Sequence, residues 1–570
     1  MQKKSGREKI HRRAARTPAQ RLRLGCTGAA GAGLALGLWL WLLGPIFALR
    51  PPAGGEELQR ALATPRVVEA DGTTHVGECY AFRRQGLRAC FLTGTPFQRG
   101  VAMARFFPRE LAALESSLLA GFRQQVPNPL ARWLLTRYWL IRNRRLGRYL
   151  PRTIQAEISG LAAASDDLFP QYGQYYTRLV NYLAAQDFSR GHEPPGAGMG
   201  CTAFGSTSSE TADGRPLLAR NFDFPAGGML DWEKLVILVK PRTGHAYLTV
   251  AWPGMFGVVS GMNDAGLAIV LLAGHSSDRS ARGAPVSVVA RRALQEAGTL
   301  EEAVDMIREA EIFVSESFFI GSGAENAFVV VEKTPLRTAV RRKPEAILMA
   351  GNHFLTPELE QDPVNARFRR EDTSAARLTR LRWLLNQDAG QLDIARCVRI
   401  LRDTRGPEGE VLGLGNRLAI NALIAAHAVV FDLGRKVAWV SVGPHALGAF
   451  VPFALNDFAA EPSLPSVPAD PLLTGGQYAK YVEYHDGIQQ GERLLRGRRY
   501  QEALSWLLEV RPLNLTNYRS YLLAGRALRA LGRADEARYN YELAASYHPA
   551  YLREREEVQT ALQHLQGLGP

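Results

Sequence analysis

The sequence predicts an α+β fold, two packed sheets covered by helices, with an apolar segment before them and a small helical region after them. Three observations support this. From residue 201 to about 455, blocks of strand-like residues alternate with pairs of segments at helical spacing, as a layered α+β body requires. Ahead of that body, Gly25 to Leu49 carries no charge. Behind it, a Pro-rich stretch opens onto unbroken helical periodicity. The chain accordingly divides into a basic tail (1–25), an apolar segment (26–49), an N-terminal piece (50–200), the two-sheet body (201–458), a Pro-rich linker (459–475) and a helical region (476–570).

The formal charge of +14 is concentrated at the N-terminus, where residues 1–25 hold nine Lys or Arg against one Glu. The rest of the 570-residue chain has no basic run, which argues against a nucleic-acid partner. The apolar segment includes Leu34-Ala35-Leu36-Gly37-Leu38-Trp39-Leu40-Trp41-Leu42-Leu43, and roughly 20 such residues span a bilayer. With a basic flank ahead of it, the segment predicts a single-pass anchor with a cytoplasmic N-terminus and the body on the extracytoplasmic, periplasmic side. A cleaved signal peptide is the competing reading.

In the N-terminal piece, residues 76–95 read as a hairpin whose Cys79 and Cys90 lie opposite each other. Either a disulfide, suited to an oxidising compartment, or a buried thiol pair fits. Apolar residues at i, i+3 and i+4 predict helices over Phe106 to Leu119, Leu130 to Ile141 and Ile154 to Ala164. The loop Gly191-His192-Glu193-Pro194-Pro195-Gly196-Ala197-Gly198 then leads into Met199-Gly200-Cys201-Thr202.

Beyond Cys201, strands are predicted at Thr202–Thr207, Leu217–Phe222, Leu235–Val239, Tyr247–Trp252, Val258–Gly261 and Leu267–Leu272. Two helices follow, near Val286–Ala297 and Leu300–Ala310. Strands return at Ser317–Ile320, Ala327–Val331, Thr338–Arg341 and Ile347–Ala350. Helices over Thr373–Leu385 and Leu392–Leu401 precede a last pair of strands, Ala425–Phe431 and Val437–Val442. Cys397 falls on the apolar face of its helix and reads as core. In the C-terminal region Gly525, Gly532, Ala537, Tyr541, Ala544 and Pro549 approach tetratricopeptide spacing, with a degenerate copy at Gly491, Gly497, Ala503 and Pro512. Such helices would pack on the body or bind a protein partner.

The chemistry centres on Cys201. Ala212-Asp213-Gly214-Arg215 is a turn that favours positive φ, and it returns Arg220 and Asp223 beside Cys201. A thiol needs a base or a lowered pKa to act as a nucleophile. Cleavage of the Gly200–Cys201 bond would supply one, because an α-amine has a reference pKa of about 7.7–8.0. Asp223 would then orient that amine and Arg220 would stabilise negative charge. The bland alternatives are a small buried cysteine and a surface ion pair.

Cys201-Thr202, Asp213-Gly214 and Arg220-Asn221-Phe222-Asp223 resemble the N-terminal nucleophile hydrolases of the choloylglycine hydrolase and acid ceramidase group, most nearly the isopenicillin-N acyltransferase-like branch. Further motifs follow in that family's order: Gly261-Met262-Asn263-Asp264-Ala265-Gly266-Leu267, Ala350-Gly351-Asn352-His353-Phe354, Ser374-Ala375-Ala376-Arg377 and Val429-Val430-Phe431-Asp432. Upstream, Gly94-Thr95-Pro96 through Gly100 and Glu157-Ile158-Ser159-Gly160-Leu161-Ala162 resemble the segment preceding the family's cleavage site.

The resemblance implies a four-layer αββα sandwich made as a precursor and cleaved autocatalytically between Gly200 and Cys201. It implies Cys201 as nucleophile and, through its amine, base. Arg220 and Asp223 would support it, Asn352 would polarise the carbonyl oxygen, and Arg377 would complete the charge network. No metal or cofactor is called for. Asn263 reads as a hairpin-turn residue. One departure stands out: where bile-salt hydrolases carry an oxyanion asparagine, this chain has Leu271-Leu272-Ala273-Gly274-His275, which leaves the second oxyanion donor open, a backbone N–H being one replacement. His275 is a candidate by position alone.

The expectation is a membrane-anchored, autoprocessed amidohydrolase or acyltransferase acting on a small-molecule acyl-amide through a Cys201 thioester. An ester or phospholipid deacylase using the same nucleophile and an inactive repeat scaffold are the rivals. Phe222, Phe224, Trp252 and Phe256 would line an acyl pocket or belong to the core.

Overall fold

The computed structural model describes residues 49–189, 200–224, 228–342, 346–460 and 463–566. Apart from Leu49, the expected anchor 26–49 and the tail before it lie outside this set. Among the described residues no helix is long and apolar enough to cross a membrane.

The body holds an eleven-stranded and a six-stranded sheet. The strands Leu235–Val239 and Leu267–Ala273 are buried at every position, which is why they read as continuous apolar runs rather than alternating ones. Alternation still assigns the faces. In the strand Leu217–Asp223, Leu217 and Ala219 pack with Leu378, Leu381 and Leu401 of the helices Ser374–Gln387 and Ile394–Leu401. Leu218 and Phe222 join the cluster that contains Ile269 and Phe318 of the larger sheet. On that sheet's far side the helices Val286–Glu296 and Leu300–Glu309 contribute Val289, Leu294, Val304 and Ile307 to the same core. The order is helices, sheet, sheet, helices.

The N-terminal piece is built into this sandwich. Its strands Arg66–Val68, Thr74–Val76, Cys79–Arg84 and Leu87–Leu92 extend the larger sheet, and Leu87–Leu92 pairs in parallel with Leu235–Val239. A helix that the periodicity reading missed, Pro96–Phe106, opens with a Thr95/Gln98 capping box and Pro96 in its first turn. The expected helix from Phe106 is divided because Pro108 starts a new one, Pro108–Gln125. Helix Pro96–Phe106 lies hard against Arg152–Ala163: a Cβ at Gly100 would stand 2.0 Å from the Glu157 carbonyl oxygen, and one at Gly160 2.5 Å from that of Phe97. This contact sets Glu157 between two arginines. Arg99 Nε donates to it at 2.7 Å and Arg291 Nη2 at 2.8 Å, with all three side chains buried. Burial pushes the Glu157 carboxyl up, but Arg291 and Arg99 outweigh burial and leave it below its ordinary value.

The hairpin carries no disulfide. Gln85 and Gly86 form its two-residue turn, so the register pairs Ala81 with Cys90 and Tyr80 with Phe91. Cys79 is thus two residues out of step with Cys90, and both are free buried thiols. Burial pushes Cys79 up to about 11 and Cys90 well above the ordinary thiol value. Cys79 accepts from the Thr93 N–H at 3.3 Å.

The edge strand Phe450–Ala454 was not expected; it completes the smaller sheet against Val437–Ser441. The Pro-rich stretch after it runs along the body instead of hanging free: Val467 bridges to Phe450, and Arg402 Nη2 donates to the Pro468 carbonyl at 2.9 Å. Five helices follow, Gln477–Arg496, Tyr500–Val510, Tyr518–Ala530, Ala534–Ser546 and Leu552–Gln566, around a core of their own.

Substituting Glu157 by Gln leaves two guanidinium groups buried without their counter-charge. A destabilisation of about 3–5 kcal/mol is expected, measurable as a fall in the urea midpoint at unchanged m-value.

Candidate active site

Cys201 precedes the strand Thr202–Ser206, which pairs with Leu217–Asp223 in the register Thr202↔Asn221 and Ala203↔Arg220. The hairpin therefore returns Arg220 and Asp223 to the start of the strand. Cys201 is fully buried, its Sγ 3.9 Å from the Asp223 carbonyl oxygen, and Gly200 N donates to that oxygen at 3.4 Å. Burial pushes the thiol pKa up, Arg220 opposes this, and Asp223 and Glu316 add to it.

Arg220 points into the space between the sheets. Its Nη1 donates to the Val259 carbonyl at 3.0 Å and to Ser260 Oγ at 2.7 Å, and its Nη2 to the Leu271 carbonyl at 2.8 Å. Among the described residues its Nε–H is buried without a geometric hydrogen-bond partner, and its guanidinium lies 4.6 Å from the Phe222 ring centroid. Ser260 Oγ is also 2.8 Å from His427 Nε2. Burial, with Arg220 and Lys234 nearby, holds His427 well below the ordinary histidine value and therefore neutral.

Asp223 is enclosed, and among the described residues neither carboxylate oxygen is hydrogen-bonded. Burial pushes its pKa up to about 6 even though Arg417, Arg377 and Arg220 pull it down. A Cβ on Gly200 would stand 3.1 Å from both Asp223 Oδ2 and Arg417 Nη2, so the carboxylate and this arginine flank the Gly200–Cys201 junction.

Asn352 follows the strand Ile347–Ala350, whose Ala350 pairs with Ala203. Arg377 Nη2 donates to Asn352 Oδ1 at 2.9 Å, and Arg377 Nε to Thr202 Oγ1 at 3.3 Å. With its oxygen held, the Asn352 amide has its Nδ2–H groups left to donate; they meet the Ala273 carbonyl at a long 3.4 Å. The structure thus gathers Cys201, Arg220, Asp223, Asn352 and Arg377 into one buried network.

The stretch 271–275 presents carbonyl oxygens to this network, Leu271 to Arg220 and Ala273 to Asn352, while the Gly274 N–H donates to Ser315 O at 3.1 Å. His275 stacks on Phe368 at 3.6 Å between centroids. Asn263 is a turn residue, its Oδ1 accepting from Ala265 N and Leu267 N. Phe222 and Trp252 pack against His427. Two charged residues went unremarked in the sequence. Glu316 pairs across from Ala273 in the larger sheet. Arg417 lies in Leu412-Gly413-Leu414-Gly415-Asn416-Arg417, where an Asn-Arg step after two loop glycines was the available signal.

Two helix-faced sheets with this network between them make a layered α+β fold. Residues 209–444 match the family model described as "Acyl-coenzyme A:6-aminopenicillanic acid acyl-transferase", in line with the isopenicillin-N acyltransferase-like motifs; the matched segment contains Arg220, Asp223, Asn352 and Arg377 and begins after Cys201. An uncharacterized protein of Archaeoglobus fulgidus is 24% identical over 397 residues, covering 62% of this chain and 63% of its own. Protein dcd1A of Dictyostelium discoideum is 24% identical over 264 residues, covering 42% of this chain and 57% of its own. The chain thus spans less than two thirds of the length of these relatives.

Similar solved structures include a Caenorhabditis elegans N-acylethanolamine-hydrolyzing acid amidase ortholog (17% identity, TM-score 0.31, covering 41% of this chain and 93% of that one). A mutant conjugated bile acid hydrolase from Clostridium perfringens is another (16% identity, TM-score 0.30, covering 42% and 89%).

A carboxyl held at about 6 in the fold against an ordinary 3.8 binds more protons in the folded chain between those values. Its contribution is therefore full below pH 3.8 and falls away as the pH rises through about 6, by about 3 kcal/mol in all. In an uncleaved Cys201→Ala chain, the added substitution Asp223→Asn is expected to remove this slope, as read by urea unfolding from pH 4 to pH 7.

Proposed function

We propose that the chain is a cysteine N-terminal nucleophile hydrolase or acyltransferase that activates itself by cleavage between Gly200 and Cys201. One observation carries this reading: a buried carboxylate without a hydrogen-bond donor, Asp223, lies beside the backbone position where cleavage would create an ammonium group. In the activation step the Cys201 thiol adds to the Gly200 carbonyl carbon. The Gly200 C–N bond breaks as the Cys201 nitrogen takes a proton, which leaves a thioester at Sγ. Water hydrolyses the thioester to the Gly200 carboxylate and the free thiol.

In the mature enzyme the α-amine accepts the thiol proton, and its ammonium form is oriented by Asp223. The thiolate attacks the acyl carbonyl of a small-molecule amide, and the amine leaving group departs with the proton. Asn352 donates to the developing oxyanion, and Arg377 holds its amide in the donating orientation. Water or a second amine then takes the acyl group from the thioester. The two pieces would stay together through the parallel pairing of Leu87–Leu92 with Leu235–Val239 and through Glu157. We read 26–49 as a single-pass anchor that places the body on the extracytoplasmic side. The C-terminal helices are read as degenerate tetratricopeptide units.

N-terminal sequencing of the purified protein is expected to show a new chain starting at Cys201, and Cys201→Ala to remain one inactive chain. An intact, active wild-type chain would sink the mechanism. Replacing Asn352 by Ala should lower kcat by roughly 100- to 1000-fold on an N-acyl amide, the cost of one oxyanion donor, with KM changed far less.

A further inference from the structure

A loop over residues 412–419 joins the C-terminal helices to the Gly200–Cys201 junction. Leu412, Leu418 and Ala419 belong to the helical region's core rather than to the sandwich's. Between them, the Leu414 N–H donates to Asn514 Oδ1 at 3.2 Å, and the Leu414 carbonyl accepts from Asn514 Nδ2 at 2.9 Å and Asn517 Nδ2 at 3.0 Å. Asn416 Nδ2 donates to the His548 carbonyl at 3.1 Å. A Cβ on Gly413 would stand 2.4 Å from Asn517 N, and one on Gly415, at φ +80°, 2.4 Å from the Tyr481 ring; the loop must be backbone alone at both places. Arg417 Nε donates to the Tyr551 hydroxyl at 3.2 Å. Arg417 Nη2 is the group that lies beside Gly200 and Asp223.

We infer that the C-terminal helices are part of the catalytic apparatus: Tyr551 is a positioning residue that sets Arg417 against Asp223 at the Gly200–Cys201 junction, and cleavage there depends on it. The inference rests on the autocleavage reading above. Asp223 is faced by Arg220 on its own strand, Arg377 from the helix Ser374–Gln387, Arg417 from the loop, and the Cys201 thiol. Arg220 is anchored by the larger sheet and Arg377 by Asn352, Thr202 and Thr373. Arg417 is the one hydrogen-bonded to the C-terminal helical region, through Tyr551. Its charge favours an ionised Asp223 ready for the new ammonium, and it also disfavours protonation of the amine that must act as base. Both effects weaken if Arg417 swings away.

The test uses the full chain and follows the appearance of the Cys201 N-terminus with time, together with amidase activity against pH. Tyr551→Phe keeps the buried ring and removes only the hydroxyl; it should slow cleavage about tenfold, and Arg417→Met about a hundredfold, in line with lost hydrogen bonds to a charged group. In both, the acid limb of the pH–activity profile should move to higher pH. Tyr551→Phe added to Arg417→Met should slow cleavage no further, since the hydroxyl acts through the guanidinium. Arg417→Lys, which keeps the charge and loses the planar fork, should recover part of the rate if Tyr551→Phe proves unstable. Glu557→Gln, in the terminal helix that Tyr551 immediately precedes and paired with Arg526, serves as the control at wild-type rate. Wild-type rates in Tyr551→Phe and Arg417→Met, or additive slowing in the double variant, would overturn the inference. A wild-type chain that stays intact would overturn the autocleavage reading instead.

Discussion

A carboxylate enclosed among arginines with no hydrogen-bond donor among the described residues, Asp223, is the constraint on which the site depends. An isolated buried carboxylate costs several kcal/mol, and a native fold keeps one only where something offsets it. Here Arg417, Arg377 and Arg220 hold its pKa to about 6, so part of the burial penalty remains. The structure carries an electrostatic deficit at the one point where a new positive charge would relieve it. The proposed break of the Gly200–Cys201 bond would supply that charge. On that proposal the precursor would be less favourable than the cleaved form, and its strain would be electrostatic rather than conformational.

Each arginine is held from a different layer. Arg220 spans from the smaller sheet to the carbonyls of Val259 and Leu271 in the larger one, so its position reports the spacing of the two sheets. Arg377 comes from the covering helix and ties Asn352 to Thr202 across the paired strands. The N-terminal piece contributes no group to this network, yet it cannot leave the fold easily. It supplies four strands of one sheet and the Glu157 that neutralises Arg291 of the opposite part. A chain cut at residue 200 would therefore behave as one folded unit.

Legibility in the sequence followed the range of the interaction. The hairpin bearing Arg220 and Asp223 was readable because an Asp-Gly turn and an apolar strand fix a local register, and the strand boundaries came within a few residues. Cys79 and Cys90 show the limit of the same reasoning: both strands were foreseen, but a two-residue shift in the turn moves Cys90 opposite Ala81. The helix Pro96–Phe106 was missed because contact with a neighbour on almost every side buries Arg99, Gly100, Val101 and Ala102 in succession, which erases the apolar stripe that marks an exposed helix. Asn352 and Arg377 emerged from an ordered set of motifs, not from periodicity. Glu316 and Arg417 could not emerge that way. Their significance lies in distances to Cys201 and Asp223 that only the folded chain creates.

Arg417 sharpens the question of why a two-sheet sandwich carries five more helices. A loop with glycines at 413 and 415 has little intrinsic preference for one conformation, and it cannot hold a guanidinium to within hydrogen-bond tolerance unaided. Attaching its carbonyl and amide at Leu414 to two asparagines and burying Leu412 and Leu418 in a separate core removes that freedom. The glycines that make the loop flexible are also what let the helices approach it closely enough to do so. Flexibility and clamping are thus two consequences of the same missing Cβ atoms. The helical region then stands to the site as a third wall, beside the two sheets that hold Arg220 and the covering helix that holds Arg377.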